Sequence, residues 1–296
     1  MANSIAAAPA ALAAEVISGL VGQLPLVNAF STNLTGQFTR GKSVQVSLIG
    51  GDPAIEFGAT GYHEAQDADI VAATVTLKHL HSTKAFNPIT LAEYGEQYIV
   101  SAFVQNAVEE LAAKCHQEIG AIITNANYSA LKTVTAANFG YDDVIDLNTD
   151  LSTAKASRQR ALILNPAYAG ALRKDSTLVQ PFTSAGASGS LVTSGSFGKV
   201  AGMDVFEFSD LPTNSENLRA FACGKDAIAV ASALPSADMY VGEVDSAVDP
   251  SGLAVQVLKS KGTDGFLRLT ATLLFGAAKG RATSLVRVRD AAPAPA

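Results

Sequence analysis

The segment from Asn87 to Thr124 constrains the fold most, because its pattern predicts one helix that crosses the whole molecule. Thr90 and Glu93 have the spacing of a capping box, which satisfies two backbone amides at a helix start. The apolar residues that follow recur every three or four positions, as on one stripe of a helix: Val100, Val104, Val108, Leu111, Cys115, Ile119 and Ile122. About 35 helical residues span about 50 Å, which is about the diameter of a compact chain of this length. We therefore expect a flat or elongated subunit with a rigid helical spine.

The charge content is low and unevenly distributed. Charged residues make up 16% of the 296 residues, against about 25% in ordinary soluble domains. This favours a surface that contacts copies of itself, although an Ala-rich genome would produce the same composition. The net charge of −6 argues against a dedicated nucleic-acid binder. The stretch from Lys259 to Arg289 is nevertheless basic, which predicts a contact between neighbouring subunits, a face toward phosphate, or solvated strand faces.

The cysteines and the hydropathy pattern limit the compartment. Cys115 and Cys223 form no motif and are predicted to be small buried hydrophobic residues. The Ala-rich N-terminus has no basic region before its apolar stretch, so it does not resemble a signal peptide. No run of about 20 residues is apolar enough to span a bilayer. These features predict folding in a reducing cytoplasm without a membrane partner.

The first part of the chain predicts an arm and a hairpin. Residues 1–40 form the arm, with a short helix over Ala6–Val16. Five later residues are expected to interrupt any regular element: Gly19, Gly22, Pro25, Asn28 and Gly36. Alternating apolar residues predict strands over Lys42–Ile49 and Ile70–Leu80, and the two strands would form a long hairpin with an extended tip.

After the long helix, the pattern predicts mixed helices and strands. The elements expected are a helix over Tyr141–Ala156, a strand over Ala161–Leu164, a helix from Asn165–Pro166 to about Lys174, strands over Val200–Phe208 and Leu218–Cys223, and a short helix over Gly224–Ala233. Thr183–Gly198 is rich in Ser and Gly and is expected to be a surface loop. Three strands close the chain: Leu253–Lys259, Phe266–Phe275 and Ser284–Arg289.

The common catalytic and cofactor motifs are missing. Gly186–Ser190 lacks the final glycine of a nucleophile elbow. Gly198–Lys199 lacks the other residues of a phosphate-binding loop, and no cysteine pair has zinc-finger spacing. We therefore predict no enzyme activity, no catalytic residue and no cofactor.

Two polar clusters have simpler explanations than a metal or catalytic site. His79 and His81 would point to the same side of a strand and could hold a metal together with His63. Two exposed polar residues on one strand face explain the same pattern. Asp142 and Asp143 fall in the first turn of a predicted helix, where acidic residues suit the helix dipole. No metal-binding residue is predicted.

The order of these pieces resembles the tailed-bacteriophage major capsid protein family, with its Hong Kong ninety-seven-type fold. The similarity extends over most of the chain and is carried by four motifs in the expected order: Asn87–Glu93; Arg160–Tyr168 with Leu172 and Asp175; Gly198–Val205 with Ser209–Pro212; and Ala220–Ala222 with Lys225–Ile228. The family has no catalytic residues to carry over, which agrees with the missing motifs.

The resemblance implies an α+β fold with an N-terminal arm, an extended β-hairpin loop, a long spine helix, a peripheral β-section and an α/β axial domain. The implied divisions are an arm at 1–40, a hairpin loop at 41–73, a peripheral domain with the spine helix at 74–134, an axial domain at 135–245, a closing β-section of the peripheral domain at 246–290 and a tail at 291–296.

The resemblance also implies a function and its partners. The chain would be a structural subunit that assembles with itself into hexamers and pentamers of an icosahedral head, enclosing double-stranded DNA. Assembly would occur in the host cytoplasm with a portal and, because no long charged N-terminal helix is present, a separate scaffolding protein. The residues expected at contacts between subunits are Asp52, Glu56, Tyr62, Glu64, Asp67, Arg268, Lys279, Arg281 and Arg287.

Three alternatives remain at this stage. An encapsulin-like, non-viral compartment would share the fold, and neighbouring genes for a cargo enzyme rather than a portal and terminase would identify it. A soluble enzyme with an unrecognised site would show a deep pocket lined by acids or histidines. A tail protein is a third alternative, although the long helix argues against the mainly β tail-tube subunits.

Overall fold

The computed structural model describes residues 9–38, 43–49, 70–87, 89, 93, 96–175, 198–235, 242–262 and 265–291. Its helices are α1 (Pro9–Gln23), α2 (Glu96–Ala121), α3 (Tyr141–Thr153) and α4 (Pro166–Lys174). The strands are β1 (Ser31–Phe38), β2 (Ser43–Ile49), β3 (Ile70–Thr76), β4 (Lys78–Phe86), β5 (Leu131–Thr133), β6 (Arg160–Leu164), β7 (Lys199–Val200), β8 (Met203–Glu207), β9 (Leu218–Gly224), β10 (Ile228–Leu234), β11 (Glu243–Val248), β12 (Ala254–Lys261), β13 (Leu267–Lys279) and β14 (Leu285–Arg289).

The strands form two larger sheets and a hairpin. Sheet 1 has the order β1-β10-β13-β12-β11, and β4 also pairs with β13. Sheet 2 has the order β5-β14-β9-β6-β8-β7. The strands β2 and β3 form the separate antiparallel hairpin, with Ile49 opposite Ile70.

The long helix α2 forms the centre of the main core, as predicted from its apolar stripe. Phe103, Leu111 and Ile119 are buried, and they join a cluster that includes Val257 and Leu273 of sheet 1. The described helix has 26 residues, about 39 Å at 1.5 Å per residue. The predicted N-terminal cap lies partly outside the described residues, because residue 90 is not among them.

The N-terminal helix α1 is longer than predicted and belongs to the same core. Its buried residues include Leu12, Val16 and Leu20, and it packs against α2, β11 and β12. The helix continues through Gly19 and Gly22, which were expected to interrupt it. Burial of an amphipathic face outweighs the low helix propensity of glycine, and a side chain at Gly19 would come within 2.8 Å of Val108.

The second core lies under α3 and α4, on one face of sheet 2. It contains Leu147 of α3 and Tyr168 of α4, packed on Leu162 and Val286. Asn165 accepts a hydrogen bond from the Ala167 amide at 3.0 Å, which confirms the predicted helix start. The opposite face of sheet 2 joins the main core, so this sheet is covered on both sides.

The prediction of a short helix over Gly224–Ala233 is wrong, because residues 228–234 form the strand β10. All seven residues of β10 are buried. Its larger side chains, such as Val230, face the main core, whereas its alanines face the hairpin β2–β3. Burial on both faces and pairing with β1 and β13 outweigh the high helix propensity of alanine.

Neither sheet is formed by one continuous part of the chain. The strand β14 falls within the predicted closing β-section of the peripheral domain, but it pairs with β5 and β9 in sheet 2. The strand β10 falls within the predicted axial domain, but it lies in sheet 1. The chain therefore crosses between the sheets near residues 224–228 and 279–285. The domain limits themselves stay predictions.

The base of the hairpin is anchored on sheet 1. Val46 and Val75 are buried against the alanines of β10, as the predicted strand pattern requires. The tip between the strands, including residues 50–69, lies outside the described residues.

Replacing Gly276 by Ala should destabilise this anchor. A Cβ atom at Gly276 would lie 2.2 Å from the Thr76 carbonyl oxygen and 2.9 Å from a methyl group of Val75. Because the backbone would have to move, we expect a loss of about 1–3 kcal/mol in the free energy of unfolding, measured by urea titration. At Gly170 in α4, no atom lies within 4 Å of the place that a Cβ atom would occupy. Gly170→Ala should therefore raise the free energy of unfolding by up to about 1 kcal/mol. Equal unfolding curves for the two variants would contradict this account.

Candidate subunit contact surfaces

Three of the nine predicted contact residues are exposed in the described structure. They are Arg268, Lys279 and Arg281. The residues predicted on the hairpin tip lie outside the described residues: Asp52, Glu56, Tyr62, Glu64 and Asp67. Their role at contacts therefore stays a prediction.

The exposed basic residues do not form one patch. Arg268 and Lys279 lie near opposite ends of β13, and their separation of eleven residues corresponds to about 36 Å along an extended strand. Arg281 lies close to Lys279 at the crossing between the sheets. Its guanidinium donates a hydrogen bond to the Lys155 carbonyl at 3.2 Å and lies 3.6 Å from the Asp226 carboxylate.

Arg287 is an internal residue rather than the exposed contact residue expected. Its side chain is 1% exposed and forms an ion pair with Glu216. Its guanidinium also donates to the Tyr128 carbonyl at 2.7 Å and to the Asn125 side chain at 2.8 Å. Arg287 is buried because sheet 2 is covered on both faces, so a position that alternates with apolar residues still faces the core.

The histidine pair lies on the strand β4, as the sequence predicted. The rings of His79 and His81 are 6.1 Å apart between centroids, and both residues are exposed. Partial burial, and then the charge of His81, lower the pKa of His79. His79 also contacts the Thr272 hydroxyl. Within the described residues, no group of three or more His, Cys, Asp or Glu side chains could hold a metal ion.

The two cysteines are buried, as predicted. Burial raises the pKa of the Cys115 and Cys223 thiols, so both remain protonated and unreactive near neutral pH. Among the helices of the described ranges, none is long and apolar enough to cross a membrane.

An acidic face lies on α3, and sequence analysis interpreted only its first turn. We define the acidic face as Asp142, Asp143, Asp146 and Asp150. Asp143 accepts a hydrogen bond from the Gly140 amide at 3.0 Å, which confirms its place in the first turn. Lys132 of β5 lies 2.8 Å from Asp143 and 2.7 Å from Asp146. Burial lowers the pKa of Lys132, but its hydrogen bonds to these carboxylates outweigh burial and leave the pKa raised.

A basic cleft, which was not predicted, lies on the other side of the same lobe. We use the word lobe for sheet 2 together with α3 and α4. The cleft has a volume of about 260 Å³ and is lined by Arg158, Arg160, Lys199 and Lys225, with Asp204 as its acidic residue. These residues are dispersed over 68 positions of the sequence, so no local charge run marks the cleft. Only the order of the strands brings them together.

Comparison with known proteins identifies the fold. No protein-family model matches the sequence, and no curated protein matches it. The capsid structure of the cyanophage P-SCSP1u aligns with a TM-score of 0.59 at 13% identity, covering 90% of this chain and 87% of that chain. A capsid subunit of a native GTA particle aligns with a TM-score of 0.56 at 14% identity, covering 91% of each chain. A virus-like particle from Pyrococcus furiosus aligns with a TM-score of 0.54 at 11% identity, covering 94% of this chain and 97% of that chain.

Identities this low establish the fold alone. The chain has the α+β fold of tailed-phage major capsid proteins, and the fold predicted from its sequence is confirmed. The coverage of both chains shows that the likeness extends over nearly the whole length rather than over one lobe.

Proposed function

We propose that this chain is a major capsid protein, a structural subunit without enzyme activity. In this proposal it assembles into hexamers and pentamers of an icosahedral head that encloses double-stranded DNA. The observation that carries the proposal is the fold shared over about nine-tenths of the chain with subunits of capsids. The subunit would belong to the virion and assemble in the host cytoplasm, with a scaffolding protein and a portal as partners.

The architecture suits a subunit that repeats in slightly different surroundings. The main core joins α1, α2 and sheet 1, and it continues onto one face of sheet 2. A body of this kind resists deformation because protein cores are closely packed. The hairpin is anchored at its base by Val46 and Val75, and in this proposal the segment that connects its two strands contacts a neighbouring subunit. Many such contacts, each modest, add up through multivalency.

The intersubunit contacts are proposed at two sets of residues. The first set is the hairpin tip, with the five residues named above from Asp52 to Asp67. The second set is the exposed basic residues Arg268, Lys279 and Arg281. Arg287 is excluded from the second set because its guanidinium is buried and satisfied within the chain.

An encapsulin-like compartment is the second candidate. The observation that favours it is the alignment with the virus-like particle from Pyrococcus furiosus, which covers 97% of that chain. Genes for a portal and terminase beside the gene for this chain would support the phage head. A gene for a cargo enzyme in that place would support the compartment.

The proposed function is tested by imaging what the purified chain forms. We expect closed shells by negative-stain electron microscopy, from cells that produce the chain alone or with its scaffolding protein. Size-exclusion chromatography with light scattering would measure the mass of the particles. A stable monomer under every condition tested, with no shells in the producing cells, would contradict the proposal.

Deleting residues 52–67 should leave a folded subunit that cannot close shells. Ile49 lies opposite Ile70, so the deletion leaves Gly50, Gly51, Ala68 and Asp69 to connect the strands. A loop of four residues is a common hairpin connection, and the anchored base should therefore persist. We expect an unchanged melting temperature and no closed particles by electron microscopy. Normal particles from this variant would refute the assignment of residues 52–67 to subunit contacts.

A further inference from the structure

The acidic face of α3 has an excess of negative charge that the described structure balances only in part. The helix contains no Lys or Arg between Tyr141 and Thr153. Lys132 lies beside Asp143 and Asp146, whereas Asp142 and Asp150 are exposed. The Asp146 side chain is 68% exposed despite its contact with Lys132. A row of exposed carboxylates is a suitable surface for a basic partner.

The basic cleft has the opposite charge. The Lys199 side chain is 71% exposed and lies 3.7 Å from the Asp204 carboxylate. Arg158 is exposed beside it, and the Lys225 amide is held by a hydrogen bond to the Gln159 carbonyl at 3.0 Å. Arg160 has an internal role, because its guanidinium donates to the Asn148 carbonyl at 2.9 Å and to the Ser152 hydroxyl at 2.6 Å. Arg158, Lys199 and Lys225 therefore supply the charge that is available to a partner.

The two surfaces lie on opposite sides of one lobe. Asn148 marks the side of α3 next to the cleft, since its side chain contacts Arg160 and donates to the Ala201 carbonyl at 2.9 Å. Asp146 and Asp150 are each two residues from Asn148, or about 200° around the helix at 3.6 residues per turn. In sheet 2, β5 with Lys132 forms one edge and β7 with Lys199 forms the other.

We propose that the acidic face of α3 on one copy binds the basic cleft of the next copy, head to tail. Complementary charges on opposite sides of a subunit give a heterologous contact, and such a contact closes into a ring when the rotation between copies is suitable. This inference rests on the proposed function and deepens it, because it assigns a specific contact to the rings of five and six subunits. Exposed charge pairs act mainly by steering and register, so assembly should weaken as the salt concentration rises.

A charge-swap experiment tests this contact on the full chain. One variant carries Asp142→Lys and Asp150→Lys, and the second carries Arg158→Glu and Lys199→Glu. At α3 the two lysines have opposing effects on the helix dipole, since one lies near each end. Each variant should raise the protein concentration needed for half-maximal assembly by about tenfold. The chain with all four substitutions should return to within about threefold of the unaltered chain, because complementarity is restored.

The controls separate this contact from general effects of charge. Lys114→Glu with Lys261→Glu changes the charge by the same amount at exposed positions outside both surfaces, and it should assemble normally. Sedimentation velocity measures assembly, and every variant should still melt in one cooperative transition. The inference would be overturned, while the proposed function stands, if both double variants assembled like the unaltered chain. It would also be overturned if the chain with all four substitutions assembled no better than either double variant. If the variant with Arg158→Glu and Lys199→Glu assembled normally but lost binding to a fluorescent duplex DNA, the cleft would be assigned to nucleic acid and the inference would be overturned. Failure of the unaltered chain to assemble would overturn the proposed function and this inference with it.

Discussion

Replacing Leu111 by Asp should abolish cooperative folding of the whole subunit. Leu111 is 1% exposed at the centre of α2, within the cluster that joins α1, α2 and both sheets. Removing the leucine side chain costs about 2–5 kcal/mol, and burying a carboxylate adds several kcal/mol. The sum is comparable to the whole stability of about 5–15 kcal/mol expected for a domain. We expect no cooperative transition in thermal melting followed by circular dichroism.

The matched control is an aspartate on the exposed side of the same helix. Gln117 is exposed, and its side chain accepts a hydrogen bond from Lys114 at 3.1 Å. Because Asp can accept from the same lysine, Gln117→Asp should change the free energy of unfolding by about 0.5 kcal/mol or less. Cooperative melting of Leu111→Asp like that of the control would show that the predicted stripe is not core. Val104 is only partly buried, so Val104→Asp should be milder than the sequence pattern alone suggested.

The features that were predicted correctly depend on local patterns. The apolar stripe of α2 follows a period close to 3.6, and the two strands of the hairpin alternate with a period of two. The second of these strands ends at Thr76 rather than at the predicted Leu80, because Lys78 begins β4, which pairs with β13. The pair Asn165–Pro166 marks a helix start by the chemistry of the cap itself. Each of these signals is contained in a short stretch of sequence, so it can be recognised without knowing which distant residues pack against it.

The features that were missed depend on contacts between distant residues. The strand β10 is rich in alanine, and only the cover on both of its faces makes it a strand rather than a helix. The basic cleft combines Arg158 with Lys199 and Lys225 through the order of strands in sheet 2. The acidic face of α3 was visible in the sequence as four aspartates without a nearby basic residue in the helix. The basic cleft of opposite charge was not visible in the sequence. Its position relative to the acidic face follows only from the order of strands in sheet 2.

Arg287 is the clearest example of a residue whose burial depends on distant parts of the chain. Its replacement should have the second large effect on the free energy of unfolding. In the sequence, Arg287 and Arg289 alternate with Val286 and Val288, as in a strand with one solvated face. In the structure Arg287 is buried, and its partner Glu216 is 71 residues away. The burial of the guanidinium lowers the pKa of Arg287, and the nearby charge of Arg289 adds to this effect. The arginine nevertheless remains charged at neutral pH.

Arg287→Met should cost about 3 kcal/mol in the free energy of unfolding, because it leaves the Glu216 carboxylate without its partner. The Glu216 side chain is 18% exposed, so solvent relieves part of the penalty and the lower end of the usual range applies. Arg289 lies two residues away on the same strand but is exposed. Arg289→Met should therefore cost about 0.5 kcal/mol or less. Urea titration of both variants measures the difference.

Combining Arg287→Met with Glu216→Gln distinguishes the buried charge from the shape of the side chain. A glutamine at 216 is neutral, and its amide oxygen can still accept the hydrogen bond that Glu216 now accepts from the Asn125 amide at 2.9 Å. The double variant should thus recover about 1–2 kcal/mol relative to Arg287→Met alone. No recovery would mean that the loss comes from packing and from the hydrogen bonds to Tyr128 and Asn125. A loss for Arg287→Met as small as that for Arg289→Met would show that the buried ion pair with Glu216 contributes little to the free energy of unfolding.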